Sequence, residues 1–268
     1  MPKAAAYLHL VRQFFDEQLL ALREETDVAR LKRSFGYFSR HPVAKLNAAR
    51  LSFMVDATRG ATRILDLACG GGIVAHALAG HAKVLGLDSD PDEIRWANQF
   101  SAFLKHQPGD SRAEATAFVC TDLTADETWR SLGDLAQRAL GGPPDTIVLA
   151  YALHHFRDPQ GLLNRIAQRF PDASVLVNEE NPSAPAFRLK HWVRGWLQAD
   201  TDTEWHRSIG DWTRALQSAG YSRVDLISAA DGLPLIGSWI GARWPTRAWS
   251  VLIRASGNAD SNPSLPLL

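Results

Sequence analysis

The feature that most constrains this chain is an alternation that begins after Gly60, in which short β-branched or aliphatic runs are each followed by a stretch with helical spacing. The runs are TRILDLA (62–68), AKVLGLD (82–88), TAFVCTD (116–122), DTIVLAY (145–151) and SVLVNEE (174–180). Strands separated by helix-length segments cannot pair as tight hairpins, so they are expected to lie parallel, joined by crossover helices that cover both faces of one sheet. Two further runs, RVDLISA (223–229) and RAWSVLIRA (247–255), supply a sixth and a seventh strand. The segment between them, ADGLPLIGSWIGARWPT, carries no convincing helical pattern, so the last strand is expected to run antiparallel to its neighbour. The fold class predicted is therefore α/β: a seven-stranded, mostly parallel sheet with its last strand antiparallel.

The chain has 268 residues, 46% of them hydrophobic, enough to bury one large core without requiring two domains. Lysine plus arginine and aspartate plus glutamate both number 29. With no net basic field, a nucleic-acid partner is not expected. Two cysteines, Cys69 and Cys120, are too few for a disulfide framework or a four-thiolate metal site. Nine histidines are scattered without H-E-x-x-H spacing, so no metal is expected. The N-terminus lacks a leader-like pattern and no run approaches 18 apolar residues, so the expected setting is cytoplasmic, without a membrane span.

Before the alternation, Leu8, Val11, Phe14, Phe15, Leu19 and Leu22 fall at the three-and-four spacing of an amphipathic helix, and more helix follows through residue 57 or so, interrupted at His41-Pro42. Residues 1–58 are expected to form a helical N-terminal cap, able also to pair two chains as a homodimer. Residues 59–256 would be the sheet domain, with a tryptophan-rich helical cap insertion at 182–215, and 257–268 a flexible tail. Seven of the nine tryptophans lie beyond residue 190, and one or two are expected over the pocket. Helix starts are well marked: Asp90-Pro91 is predicted to open one, with Glu93 completing a capping box, and Asp158-Pro159 another, whose buried face would be Leu162, Leu163, Ile166 and Phe170.

The first strand ends in Asp66 and runs through Leu67, Ala68 and Cys69 into Gly70, Gly71 and Gly72. In such sheets a ligand sits beyond the carboxyl ends of the strands, where a glycine turn allows close backbone approach. A dinucleotide pattern G-x-G-x-x-A fits Gly70, Gly72 and Ala75 only weakly. The surrounding charges say more: Asp66 precedes the turn, Asp88 ends the second strand and Asp122 follows the third. Three carboxylates with no basic residue in the turn disfavour a pyrophosphate and favour an adenosine joined to a cationic group.

DLACGGG, GLDSDPDEIRWAN, the Thr121-Asp122 pair and ALHHFRDP together resemble the successive motifs of class I S-adenosylmethionine-dependent methyltransferases, in particular the small-molecule group that includes the ubiquinone and menaquinone enzymes. The resemblance covers about Arg59 to Arg254. It implies a Rossmann-like methyltransferase sheet, S-adenosylmethionine as cofactor with S-adenosylhomocysteine as product, and a small-molecule acceptor. Position by position, it implies that Asp66, Ala68, Gly70 and Gly72 line the methionine part of the cofactor. It likewise implies that Asp88 and Ser89 take the ribose, Asp122 and Leu123 the adenine, and the Ala150 carbonyl the amino group. One departure is Ala68, where many members have glycine.

For the chemistry, His154 and His155 fall between the fourth strand and the next helix, so at least one is expected at the pocket rim as a base or a positioning group. Tyr151 is a further candidate, as is Glu179 at the end of the fifth strand. The function expected is methyl transfer to an oxygen, nitrogen or carbon nucleophile of a hydrophobic or aromatic metabolite. Two other readings stand beside it: a non-catalytic S-adenosylmethionine-binding sensor or partner subunit, and a nicotinamide-dependent oxidoreductase.

Overall fold

The computed structural model of the chain describes residues 2–36, 38, 44–184, 207–230 and 250–257. It contains one seven-stranded sheet: β1 (Arg63–Leu67), β2 (Lys83–Asp88), β3 (Thr116–Cys120), β4 (Thr146–Ala150), β5 (Ser174–Glu180), β6 (Arg223–Ala230) and β7 (Ser250–Ser256), in the order β3-β2-β1-β4-β5-β7-β6. The first five strands pair in parallel, and β7 inserts antiparallel between β5 and β6. The expected mostly parallel sheet with an antiparallel last strand is what forms. The chain turns back on itself in strand order between β1 and β4, which places the topological switch point at the carboxyl ends of those two strands.

Period-two alternation assigns each strand residue to a face. Leu65, Leu67, Leu85, Leu87, Ile147, Leu149, Val175 and Val177 point to one side, against α6 (Asp126–Leu140), α7 (Pro159–Arg169) and α8 (Ile209–Ser218). Ile64, Val84, Val148 and Leu176 point to the other, against α4 (Ile73–Leu78) and α5 (Pro91–Lys105). The N-terminal helices α1 (Pro2–Ala21), α2 (Glu25–Leu31) and α3 (Ala44–Ala57), with a π-helical turn at Lys32–Gly36, extend this second layer. Tyr7, Val11, Phe14, Leu31, Phe35, Leu51 and Met54 are all buried in the same cluster as Trp96 and Phe100. Much of the expected N-terminal cap is therefore packed on one face of the sheet domain, while Arg33, Ser34 and Phe38 line the cavity at the strand ends and Arg50 lies over Tyr151 just beyond β4.

The Asp158 carboxylate accepts from the Gly161 amide at 2.8 Å, and Leu162, Leu163, Ile166 and Phe170 are buried as their spacing predicts. At α5 the expectation is corrected. Asp90 caps by accepting from the Asp92 amide at 2.8 Å, but Glu93 does not fold back to complete a capping box; it accepts from Ser34 instead. Within the expected 182–215 insertion, residues 209–215 belong to α8, whose Trp212 is buried against the sheet. Trp192, Trp196, Trp205, Trp239, Trp244 and Trp249 lie outside the described residues, as does the tail beyond residue 257.

Candidate donor and acceptor site

A cavity of about 780 Å³ opens at the carboxyl ends of β1, β2 and β4. Of the residues singled out in the sequence, Ala68, Gly70, Asp88, Ser89, Asp122, Leu123, Ala150, Tyr151 and His155 line it. Asp66, Gly72, His154 and Glu179 stand behind its wall. Sequence reasoning gave no site role to Arg33, Ser34, Phe38, Glu93, Phe156 and Arg157, which also line it. Glu93 was visible only as a helix-start residue, and nothing near Ser34 in sequence signals a contact made 59 positions away.

The glycine turn is shaped by backbone conformations that side chains disfavour. Gly70 and Gly72 have φ of 51° and 75°. A Cβ on Gly72 would stand 2.8 Å from Phe118 Cζ and 2.9 Å from Ala97 Cβ, so glycine is required there on both steric and conformational grounds. Ala68 adopts the same left-handed region at φ 55°, as does Tyr151 at 56°. Each stores about 1–2 kcal/mol of strain. These two residues follow directly on β1 and β4, at the switch point.

Asp66 shares the face of Ile64, opposite Gly86 and Val148 in register, and is 1% exposed. Neither of its oxygens meets a hydrogen-bond donor among the described residues. Burial, reinforced by the Asp88 charge, pushes its carboxyl up to about 8. Asp88 accepts from the Gly70 amide at 2.8 Å and from the Asp90 amide at 2.9 Å, so the end of β2 is stitched to the glycine turn. A carboxylate has about four lone-pair sites, so Asp88 retains capacity to accept from a ligand. Asp122 Oδ1 accepts from the Thr124 amide at 2.8 Å and its hydroxyl at 2.7 Å, which holds the carboxyl below its usual range. Cys69 packs with its sulfur near Gly86, and burial pushes its thiol well up, which suits a filler and not a nucleophile.

After β4, a 3₁₀ turn at Leu153–His155 separates the two histidines. His154 is buried and its Nδ1 donates to Glu179 Oε2 at 2.6 Å. Glu179 Oε1 accepts from the Ala152 and Leu153 amides at 3.1 and 2.7 Å. Glu179, 1% exposed, thus anchors the turn through its backbone and His154. His155 is exposed at the cavity, beside Tyr151 and Phe156. The Arg50 guanidinium of α3 lies 5.0 Å over the Tyr151 ring.

The charges suit a cationic ligand joined to adenosine. Asp66, Asp88 and Glu93 surround the glycine turn with Arg33 as the nearby cation, while Arg157 and Arg165 belong to the segment after β4. A pyrophosphate would meet the Asp88 and Glu93 carboxylates directly, since both line the cavity. Among the described residues no His, Cys, Asp and Glu group could hold a metal ion.

The family model of a methyltransferase domain matches residues 39–226, more than two thirds of the chain. The chain belongs to the methyltransferase-domain family. This methyltransferase-domain protein is of the class that uses S-adenosylmethionine, and the cofactor fits the carboxylate-ringed turn just described. Among solved structures, magnesium protoporphyrin IX methyltransferase from Synechocystis PCC 6803 with bound SAH is 17% identical, covers 93% of this chain and 99% of its own, and has a TM-score of 0.58. The methyltransferase domain of bacterial CtHen1 is also 17% identical over 80% of this chain and 100% of its own, at a TM-score of 0.54. An O-methyltransferase family protein from Burkholderia thailandensis is 15% identical over 82% of this chain and 62% of its own, also at 0.54. EvdMO1 is 18% identical, and the match spans only 42% of its length, at 0.50. At these identities the likeness concerns the fold. Comparison with curated proteins gives no match.

Proposed function

We propose that this methyltransferase-domain protein moves the methyl group of S-adenosylmethionine to an oxygen, nitrogen or carbon nucleophile of a small, hydrophobic or aromatic metabolite. One observation carries the reading: a single cavity joins the carboxylate-ringed glycine turn to a wall of Phe38, Tyr151, His155 and Phe156. The volume suits a nucleoside-sized donor and a planar acceptor together, within the range of about 300–1,000 Å³ typical of small-molecule sites. One structural neighbour supports a small acceptor by name, a magnesium protoporphyrin IX methyltransferase.

In this reading Ala68, Gly70 and Gly72 shape the backbone against the methionine part. Asp88 and Ser89 hold the ribose, Asp122 and Leu123 the adenine, and Ala150 offers its carbonyl to the amino group. Asp66, buried behind the turn with its carboxyl raised to about 8, would be shifted toward its ionised form by a cationic donor. The donor's sulfonium supplies an already activated methyl group, so the chain has to align the acceptor, exclude water and accept a proton where the nucleophile carries one. His155 is the proton acceptor in this assignment, with Tyr151 positioning the acceptor. His154 and Glu179 act through the turn that presents His155. Residues 1–58 complete the domain.

Thermal unfolding with S-adenosylhomocysteine and, in parallel, oxidised nicotinamide dinucleotide tests the donor. At about 100 times its dissociation constant a ligand adds about 2.7 kcal/mol, so the homocysteine ligand alone should raise the midpoint by several degrees. Asp88→Asn, which keeps the shape of the side chain, should lose that shift. A shift with the dinucleotide instead would replace the reading with an oxidoreductase. A shift with S-adenosylhomocysteine, but no labelled product from a panel of phenols, amines and aromatic acids given radiolabelled donor, would favour the binding-protein alternative.

A further inference from the structure

Groups from two distant parts of the chain converge on the glycine turn. A Cβ on Gly71 would stand 3.0 Å from Phe35 Cε2, 3.1 Å from Ser34 Cβ and 3.3 Å from Glu93 Oε2. Ser34 Oγ lies 2.7 Å from both oxygens of Glu93, and both residues line the cavity. One hydroxyl proton cannot satisfy a carboxylate that can accept about four hydrogen bonds. Most of the accepting capacity of Glu93 is therefore left facing the turn.

The position is electrostatically unfavourable for an anion. Glu93 is half-buried, and burial together with Asp88 and Asp90 raises its carboxyl above the usual range, opposed by Ser34 and Arg33. A carboxylate in such a place is stabilised by a cation from a ligand. Arg33, one residue before Ser34, lines the same cavity and makes no ion pair among the described residues. The segment that carries them does not need the Ser34 contact to stay in place. Phe35 is fully buried against Phe14 and Phe100, and Arg30 and Arg95 pair with Asp92 and Asp27 at 2.5 and 3.2 Å.

We propose that Glu93 and Arg33 clamp the zwitterionic amino-acid end of the donor, Glu93 receiving one N–H of the α-ammonium in addition to the one given to the Ala150 carbonyl, and Arg33 the α-carboxylate, with Ser34 holding Glu93 in position. The inference rests on the donor reading above. Together, a carboxylate and a guanidinium at the mouth of one glycine turn match the two opposite charges of an α-amino acid, and nothing else in the donor carries both.

Calorimetric titration with S-adenosylhomocysteine and with 5′-methylthioadenosine separates this role from its rivals, because the second ligand keeps the adenosine and sulfur but lacks the amino acid. Glu93→Gln and Arg33→Gln should each weaken S-adenosylhomocysteine binding tenfold or more while changing methylthioadenosine binding less than twofold. Ser34→Ala should show the same selectivity with a smaller loss. Equal weakening of both ligands would overturn the clamp in favour of a ribose contact or a deformed turn. Unchanged S-adenosylhomocysteine binding would leave the Ser34 to Glu93 contact as a fastening only. Wild-type protein that binds both ligands equally well overturns the clamp alone, whereas wild-type protein that binds neither removes the donor reading beneath it. Unfolding midpoints of each variant show that the chain is folded when it is titrated.

Discussion

A buried carboxyl and a buried imidazole flank the glycine turn and titrate in opposite senses. Asp66 is held up to about 8, against a usual value of 3.8, by burial first and the Asp88 charge second. The folded chain then binds a proton that the unfolded chain has released, so this contribution to stability is full below pH 3.8 and is lost as pH rises through 8. His76 does the reverse: burial holds it down to about 4 from 6.5. Its ring donates from Nδ1 to the Gly72 carbonyl at 2.8 Å and accepts at Nε2 from Ser101 at 2.7 Å, an arrangement the doubly protonated ring cannot keep. Its contribution is present above pH 6.5 and is lost as pH falls through 4. At about 1.4 kcal/mol per pH unit, Asp66→Asn should stabilise the apo protein by several kcal/mol at pH 8 and change little at pH 4, and His76→Leu should flatten the loss between pH 6.5 and 4. Denaturant titrations from pH 4 to pH 8 read both slopes. Ala68→Gly should raise stability by up to about 1 kcal/mol, the αL strain less the greater entropy of unfolded glycine, and an unchanged or lower midpoint would mean that the strain is relieved elsewhere. Asp66, Asp88 and Asp122 are legible in sequence because each stands at or beside the end of a strand, whereas Glu93 lies in the helix that follows. His76 is not, since its partner Ser101 is on the next helix. Nor can sequence separate His154 from His155, whose rings lie 4.1 Å apart although the first is buried on Glu179 and the second is exposed at the cavity.

At the scale of elements, periodicity and capping residues carry most of the fold into the sequence. The strands, the crossover helices and the antiparallel last strand follow from hydrophobic runs and from the lack of a helical sequence pattern between the last two of them. What sequence cannot show is which distant element a helix start will meet. The carboxylate of Glu93 has a hydroxyl within reach only because α2 and the π-helical turn lie across the mouth of β1, an arrangement set by aromatic packing of Phe14 and Phe35 on Phe100. Phe35→Ala should cost about 3–5 kcal/mol, as for other buried aromatic truncations, and should weaken S-adenosylhomocysteine binding because Arg33 and Ser34 lose their anchor. A variant that loses stability but keeps full affinity would show that the segment's position does not depend on this ring. On the opposite wall, His155→Ala should lower turnover by about 10²-fold or more if the imidazole accepts a proton, and should leave S-adenosylhomocysteine binding unchanged. A loss confined to KM would instead make His155 an acceptor-positioning group.

For the whole molecule, these contacts predict that the described N-terminal helices and the sheet unfold as one cooperative unit. The N-terminal helices read in sequence as a cap, and their amphipathic spacing is equally consistent with a detachable arm, because spacing says which face is apolar and not what covers it. Packing decides between the two. Tyr7, Val11, Phe14, Phe15, Leu31 and Phe35 are each no more than 2% exposed and share a core with Ile73, Trp96 and Phe100 of the sheet-flanking helices. The Tyr7 hydroxyl also donates to the Ile73 carbonyl at 2.6 Å, and Arg254 of β7 donates to the Ala57 carbonyl at the end of α3. Burying six such side chains at about 1.5–3 kcal/mol each is comparable with the whole net stability of about 5–15 kcal/mol expected of a domain. A chain beginning at residue 59 should therefore lose its cooperative thermal transition and expose apolar surface to a hydrophobic dye, with no S-adenosylhomocysteine binding, although it keeps every residue of the glycine turn and every strand. A truncated chain that unfolds cooperatively and binds the ligand would make the N-terminal region a true cap. Should the loss occur as expected, the donor site is a property of the full packed chain and not of the sheet alone.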